Sequence, residues 1–130
     1  MKKITIFLFT AIALFTLASC NNGNKPNNTV REYYDYLKAG DYKNAAQMLF
    51  DDEKSVDATV YLLETVKYKV LEYKIVDEIV SDDGLTASVK VETKISTEYE
   101  GQHKIKDYTQ DVPLSNMDGV WKIDYFDKLF

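Results

Sequence analysis

The sequence predicts an α+β fold in which two or three N-terminal helices pack on a curved, four-stranded antiparallel meander sheet. Apolar residues recur at helical spacing from about residue 29 to residue 67, and from Val70 onward they alternate with a period of two. The alternating half is interrupted by Asp83-Gly84, Glu100-Gly101 and Asp118-Gly119, which suit tight reversals between strands. Helices followed by hairpins favour one helical layer on one face of a sheet.

The first twenty residues have the order of a bacterial export signal. Two lysines follow Met1, an apolar run extends from residue 4 to residue 17, and two small residues precede Cys20. A helix that spans a bilayer needs about 20 apolar residues, so a permanent span is the less favoured interpretation. The ending Leu17-Ala18-Ser19-Cys20 resembles the lipobox of bacterial lipoproteins. The resemblance implies cleavage before Cys20 and acylation of its thiol.

Cys20 is the only cysteine of the chain. No intramolecular disulfide can therefore form, and an exported protein with one free thiol would carry an unexplained reactive group. Acylation accounts for this thiol and predicts a lipid anchor that holds the protein to a membrane of the bacterial cell envelope. Because no acidic residue closely follows Cys20, analogy with lipoprotein sorting favours the outer membrane over the inner membrane.

Three segments are predicted along the chain: a lipoprotein signal peptide at 1–19, the lipidated cysteine with a flexible tether at 20–28, and a single α+β domain at 29–130. The tether is rich in turn-forming residues and offers only one proline ring for burial. Thr29 and Glu32 have the spacing of a capping box, which predicts that the first helix begins at Thr29.

The first helix is predicted to bury one apolar stripe, formed by Val30, Tyr33, Tyr34 and Leu37. Gly40 is predicted to end this helix in the left-handed conformation, and Asp41 is predicted to cap a second helix from about residue 42 to residue 49. A third helical segment is expected between residues 52 and 67, where valine and leucine side chains share one face.

The later strands have clear faces. The second strand is predicted to bury Leu85, Ala87, Val89, Val91 and Ile95, with Thr93 interrupting that side. The last strand is predicted to place Trp121, Ile123 and Tyr125 on one face. Pro113 has no amide donor, so it is expected at a strand end, an edge or a bulge.

The first strand contains the candidate for catalysis. Its apolar face is formed by Leu71, Tyr73, Ile75, Asp77 and Ile79, which would bring Asp77 inside. A buried carboxylate would have a raised pKa and could act as a general base. The favoured alternative is a bulge between Val76 and Ile79 that turns Asp77 back to water.

The composition limits the partners and the chemistry. The net charge of −5 disfavours nucleic acid, whose phosphates an acidic protein repels. The sequence contains no Gly-rich phosphate loop, no metal-ligand spacing and no histidine pair, so we predict no cofactor and no metal. His103 is predicted to be solvated, because no nucleophile motif accompanies it.

Ten tyrosines are unusual in so short a chain. Packing in the core and in the strands is favoured over a ligand cage as their role. The candidates for lining an apolar pocket between helices and sheet are Tyr33, Tyr34, Tyr73 and Trp121.

Two stretches resemble a known family. The stretch VREYYDYLKAGDY (30–42) is similar to the opening of small bacterial lipoprotein domains of unknown function in the cone-shaped nuclear-transport-factor-two-like superfamily. The stretch DGVWKI (118–123) is similar to that family's final hairpin. The resemblance implies a cavity between helices and sheet, which some relatives use for catalysis and others for binding or assembly. No catalytic motif of the enzymatic relatives is recognisable, so no functional residue is carried over.

Three functions are compatible with these observations. The favoured one is a noncatalytic, lipid-anchored module that binds an apolar small molecule or an envelope protein. The second is a small enzyme of isomerase or hydrolase type that uses Asp77 with Tyr73 or Tyr108, and the third is a structural part of envelope assembly. A homodimer through the sheet face is also expected. An exposed aromatic patch on the outer sheet face would favour partner binding, and a closed pocket containing Asp77 would favour catalysis.

Overall fold

The computed structural model describes residues 25–124, which form one helical layer and one sheet. The helices are α1 (Pro26–Ala39), α2 (Tyr42–Leu49) and α3 (Glu53–Thr65), and the strands are β1 (Lys69–Val80), β2 (Thr86–Tyr99), β3 (Gln102–Met117) and β4 (Val120–Ile123). The strands pair antiparallel in the order β1-β2-β3-β4. The predicted α+β fold, with three helices before a four-stranded meander, is confirmed. The signal peptide, Cys20 and Tyr125 lie outside the described residues.

Helix α1 begins at Pro26, so residues 26–28, predicted as tether, form its first turn. The predicted capping box at Thr29 is wrong, because the Thr29 hydroxyl donates instead to the backbone oxygen of Trp121 at 3.2 Å. Proline suits the first turn of a helix, where an amide donor would lack an intrahelical partner. The backbone N–H of Asn27 donates to Glu78 Oε1 on β1 at 3.2 Å. A distant carboxylate therefore satisfies one of the free amides that a local cap was expected to satisfy.

The break between α1 and α2 is confirmed. Gly40 has φ 78° and ψ 14°, its N–H donates to Leu37 O at 3.1 Å, and the N–H of Asp41 donates to Tyr36 O at 2.9 Å. These two bonds close the last turn of α1. Asp41 caps α2, since its carboxylate accepts from the backbone N–H of Asn44 at 3.3 Å.

Helix α3 is capped by Asp52, whose carboxylate accepts from the backbone N–H of Ser55 at 2.8 Å. The helix buries Val56 and Leu63 and contacts α2. Within residues 25–124, no helix is both long enough and apolar enough to cross a bilayer.

The core lies between α1 and the inner face of the sheet. Its largest fully buried side chains are Tyr33, Tyr34, Leu37, Leu63, Leu114, Val30, Val70, Val89, Val91 and Val112. Trp121 and Ile123 face this core, as predicted. Leu85, predicted to be buried, is 57% exposed because it lies in the turn before β2, at the rim of the sheet. Thr93 is buried, and its hydroxyl has no hydrogen-bond partner among the described residues.

Strand β1 departs from the predicted alternation at two irregularities, one between Val70 and Glu72 and one between Ile75 and Asp77. Each extra residue reverses the faces of the residues that follow it. Asp77 is consequently exposed, and its carboxylate accepts from the backbone N–H of Glu78 at 2.9 Å. The predicted inward face that included Asp77 and Ile79 is therefore wrong. The bulge alternative is observed, one residue earlier than predicted.

Pro113 lies within β3 but beside a free edge. Its carbonyl accepts from the N–H of Asp124, and the last β3–β4 residue pair is Leu114 with Ile123. The N–H and C=O of one strand residue point to the same side. The donor that proline lacks therefore falls where the β3–β4 pairing ends, although Pro113 itself lies inside β3 and pairs with Ser88 of β2.

We expect Gly40→Val to destabilise the domain by about 1 kcal/mol or more, because a β-branched residue resists a positive φ. A Cβ atom at this position would meet no atom within 4 Å, so the main effect is backbone strain. Gly40→Asn is the control, since asparagine tolerates the left-handed region, and it should lose less stability. Chemical denaturation measures both, and equal stability of Gly40→Val and the parent protein would contradict the prediction.

Candidate functional site

Three of the four predicted pocket residues form one chain of ring contacts, and the fourth, Trp121, belongs to another part of the same core. The rings of Tyr33 and Tyr34 meet edge to face, with centroids 5.1 Å apart, and Tyr34 stacks on Tyr73 at 5.4 Å. The Tyr34 hydroxyl donates to Gln110 Oε1 on β3 at 3.2 Å. Trp121 lies on β4 instead, where it borders a separate surface groove with Thr29 and Met48.

The tyrosine rings occupy the space between α1 and the inner sheet face in which the family resemblance implied a cavity. Tyr33 and Tyr34 are each 1% exposed. Neither of these residues lines the groove beside Trp121 or the groove that is described below. In this arrangement Tyr33 and Tyr34 are core residues, and contact with a ligand would require movement of α1.

Burial and hydrogen bonding keep these phenols protonated. The Tyr73 hydroxyl donates to Asp35 Oδ1 at 2.6 Å and lies 3.4 Å from the backbone oxygen of Arg31. Partial burial and the bond to Asp35 raise the pKa of Tyr73 to about 12. Burial raises the pKa values of Tyr33 and Tyr34 well above the ordinary value. None of these three phenols is suited to exchange protons near neutral pH.

The two candidate acid–base residues, Asp77 and His103, lie outside the core, whereas Tyr73 and Tyr108 pack against it. Asp77 and His103 are exposed, and the Nε2 atom of His103 lies 2.9 Å from Ser96 Oγ. Among the described residues, Thr93 is the one buried polar side chain. That part of the chain also contains no group of three or more His, Cys, Asp or Glu side chains that could hold a metal ion.

A groove of about 360 Å³ lies on the inner sheet face beyond the end of α1. It is lined by Val66, Ile95, Thr97, Tyr99, Gln102, Lys104, Lys106 and Tyr108. We call it the hairpin groove. It exists because the β2–β3 pairing continues to Tyr99 and Gln102, whereas β1 begins at Lys69, opposite Ser96. The end of the hairpin therefore extends past β1, and only Val66, after α3, lines the groove from the helical side.

The floor of the hairpin groove is apolar and its rim is polar. Ile95 is buried, and Val66 and Tyr108 are half-buried. The backbone N–H of Glu98 donates to Val66 O at 2.7 Å, which fixes the helical side of the groove against β2. Tyr99 forms part of the rim and is 53% exposed.

The rim carries two lysines that join no ion pair within residues 25–124. Lys104 lies opposite Thr97 in the sheet, and Lys106 lies opposite Ile95. The ion pairs in residues 25–124 use other lysines: Lys67, Lys94 and Lys122. Among the described residues no carboxylate lines the groove, although the chain is acidic as a whole. The groove is therefore complementary to a negative charge carried on an apolar body.

The sequence-based search missed the hairpin groove. Val112 faces the core, and counting back by twos along β3 reaches Gln110, Tyr108, Lys106 and Lys104. This alternation could have placed the two lysines on the inner face. The alternation could not show that no helix lies over the two lysines, because this depends on where α1 and β1 end.

Comparison with known proteins gives the fold and no family. No family model matches the sequence, and no curated protein matches it. The structure is similar to the intermembrane space region of the chloroplast protein ARC6, with a TM-score of 0.56, 16% identity, and coverage of 75% of this chain and 88% of that chain. It is also similar to a protein of unknown function from Mycobacterium tuberculosis, with a TM-score of 0.52, 14% identity, and coverage of 75% and 68%.

A third solved structure, named as an NTF2-like transpeptidase from Campylobacter jejuni, matches with a TM-score of 0.43 and 13% identity, over 79% of this chain and all of that chain. At identities this low, the first two likenesses show a shared fold alone.

We expect Asp35→Asn to lower the pKa of Tyr73 from about 12 toward its ordinary value, because the variant removes the negative charge beside the phenol. Unfolded tyrosine ionises near pH 10, so the protonated, bonded Tyr73 stabilises the fold below about pH 10, and this contribution is lost as the pH rises through 12. Titration of the Tyr73 ring by NMR measures the shift. Asp57→Asn, an exposed change on α3, is the control and should leave that titration unchanged.

Proposed function

We propose that this chain is a lipid-anchored lipoprotein of the bacterial envelope whose α+β domain is a noncatalytic binding module. The proposed binding site is the hairpin groove, and its occupant is a ligand or protein segment that carries a negative charge on an apolar body. The observation that carries this proposal is the pair of lysines, Lys104 and Lys106, which stand outside any described ion pair above the apolar floor of Ile95 and Val66.

Two observations support the anchor. The lipobox order ends at Cys20, and this residue is the only cysteine of the chain. By the same sorting analogy as above, we favour the outer membrane.

Binding is favoured over catalysis because the necessary proton-transfer groups are not brought together. A general base must be held near its substrate by a second group that orients it or takes up charge. Asp77 is exposed on β1, and the pKa of Tyr73 is raised rather than lowered. An envelope protein with an acidic, partly apolar segment would fit the groove as well as a small molecule would, so a role in envelope assembly remains compatible with this function.

The homodimer through the sheet face stays a prediction. The middle of the outer face carries the alternating charged residues Lys90, Glu92 and Lys94 of β2. In the part of the chain that the structure describes, this face has no exposed aromatic patch for a second copy. We therefore favour the groove over the outer face as the interaction site.

We expect Cys20→Ala to abolish both the acyl group and the cleavage before residue 20, because the thiol of Cys20 accepts the proposed lipid before cleavage. Intact-mass measurement of the parent protein should show an acylated N-terminal Cys20. Ser19→Gly, which keeps a small residue before the cysteine, is the control and should stay membrane-bound. A Cys20→Ala protein that remains membrane-bound and is cleaved at the same position would contradict the anchor.

We expect the double variant Lys104→Ala with Lys106→Ala to lower the affinity for dodecanoate by about tenfold, since each lost charge interaction is worth up to about 1 kcal/mol. Isothermal titration calorimetry with dodecanoate measures this change below its micelle-forming concentration. Dodecyl maltoside, which has the same chain and no charge, should bind more weakly to the parent protein.

The matched control is the double variant Lys74→Ala with Lys90→Ala. It removes the same charge from the outer sheet face, where Lys74 lies opposite Glu92 and Lys90 opposite Asp77. It should bind dodecanoate like the parent protein. Equal losses in the two double variants would show that the effect depends on net charge, and the hairpin groove would then be rejected as the binding site.

A further inference from the structure

The start of α1 and two hairpin turns lie at the same end of the sheet. Asn27 is bonded to Glu78 near the end of β1, and Thr29 is bonded to Trp121 on β4. The β1–β2 turn contacts the end of β3, next to the β3–β4 turn, through a bond from the backbone N–H of Asn116 to Leu85 O at 2.8 Å. The hairpin groove lies at the opposite end, where β2 and β3 join. The domain therefore has a turn end and a groove end.

The turn end exposes a group of apolar side chains, which we call the turn-end patch. It consists of Ile79 (64% exposed), Val80 (42%), Leu85 (57%), Met117 (58%) and Val120 (54%). These are half of the ten large hydrophobic residues that are exposed within residues 25–124. Single exposed apolar residues are ordinary on soluble proteins, but five of them at one end of a sheet offer a contact surface.

The length of the chain before α1 indicates what this surface contacts. This step rests on the proposed acylation of Cys20. Five residue steps separate Cys20 from Lys25, where the described structure begins, and they can span at most about 18 Å. The start of α1, and with it the turn end, is therefore held close to the lipid surface. Such a tether gives the patch a high effective concentration at that surface, so weak apolar contacts are sufficient.

We propose that the turn-end patch docks on the bilayer, with Leu85, Met117 and Val120 entering the boundary between lipid headgroups and acyl chains. The sheet then stands on the membrane by its turn end. The hairpin groove faces away from the lipid, at a distance of about 40 Å along the twelve residue steps of β2 from Ala87 to Tyr99. An anchored protein in this orientation presents its groove to the surrounding compartment.

The charges at the turn end select the kind of lipid. Asp82, Asp83 and Asp118 lie in the same two turns. The Asp83 carboxylate accepts from the Ser81 hydroxyl and from the backbone N–H of Leu85, and these bonds lower its pKa, so it stays ionised. Acidic turns are repelled by anionic lipids. The surface that fits the patch is a zwitterionic phospholipid layer, and anionic lipid should weaken docking.

The experiment uses the full acylated protein in phosphatidylcholine vesicles. Once Cys20 is acylated, a new cysteine is the only free thiol of the mature chain. Leu85→Cys at the turn end and Tyr99→Cys at the groove end are matched sites, since the native side chains are 57% and 53% exposed. Each is labelled with an environment-sensitive fluorophore, and quenching by a nitroxide-bearing lipid is measured after intact mass has verified the acyl group.

Docking predicts that the label at position 85 is quenched more strongly than the label at position 99, by roughly fivefold, because interfacial side chains enter the lipid by about 5 to 10 Å. Replacing part of the phosphatidylcholine with phosphatidylglycerol should reduce this difference. A second labelled variant, Asp82→Cys, leaves the patch residues unchanged. Adding Met117→Ser and Val120→Ser to this variant should reduce the quenching of its label.

The outcomes separate the two proposals. Acylated protein with equal quenching at positions 85 and 99, or with stronger quenching at 99, overturns docking and leaves the anchor intact. Quenching of the Asp82→Cys label that is unchanged by the two serines also overturns the role of the patch. If the protein carries no acyl group, the anchor is rejected. Docking is then rejected as well, because it depends on the tether to that anchor.

Discussion

The structure depends on the burial of the tyrosine stripe of α1 against the inner face of the sheet. Tyr33 and Tyr34 are almost fully buried, and each large ring removes much apolar surface from water. The hydroxyls of Tyr34 and Tyr73 reach Gln110 and Asp35 at the margins of the core. Buried phenols need such partners, because an unpaired hydroxyl in the core is unfavourable. These bonds fix α1 along the sheet, and the position of α1 determines which part of the sheet is covered.

The uncovered part of the sheet provides the candidate site. Strands β2 and β3 are 14 and 16 residues long, while β1 has 12 and α1 has 14 at a shorter rise per residue. A helix of that length covers less than half the length of the β2–β3 hairpin. The inner face near Ile95 and Lys106 therefore continues past the helix as an open groove. Its apolar floor continues the core, and its lysines are kept at the exposed rim because burial of an unpaired charge is unfavourable.

The two ends of the domain have different surface chemistry. The turn end combines exposed aliphatic side chains with aspartates, and the groove end combines aromatic side chains with lysines. The aspartates of the turn end would be repelled by an anionic surface, which would turn an anchored domain in the wrong direction for docking. A zwitterionic surface leaves the short tether and the apolar turn-end patch to decide the orientation, with the groove directed outward.

The sequence by itself determined the features that depend on neighbouring residues. Gly40 ends α1, Asp41 and Asp52 cap the next two helices, and the period of two defined the strands, because each signal acts within a few positions. The tertiary structure decided the rest. The start of α1 depends on Glu78, 51 positions from its bonding partner, and on Trp121, 92 positions from its own.

Asp77 turned outward because β1 gains a bulge when it pairs with β2. The hairpin groove was likewise decided by the relative lengths of α1, β1 and the β2–β3 hairpin. Such features arise from free energy gained between distant segments, which local propensity does not encode.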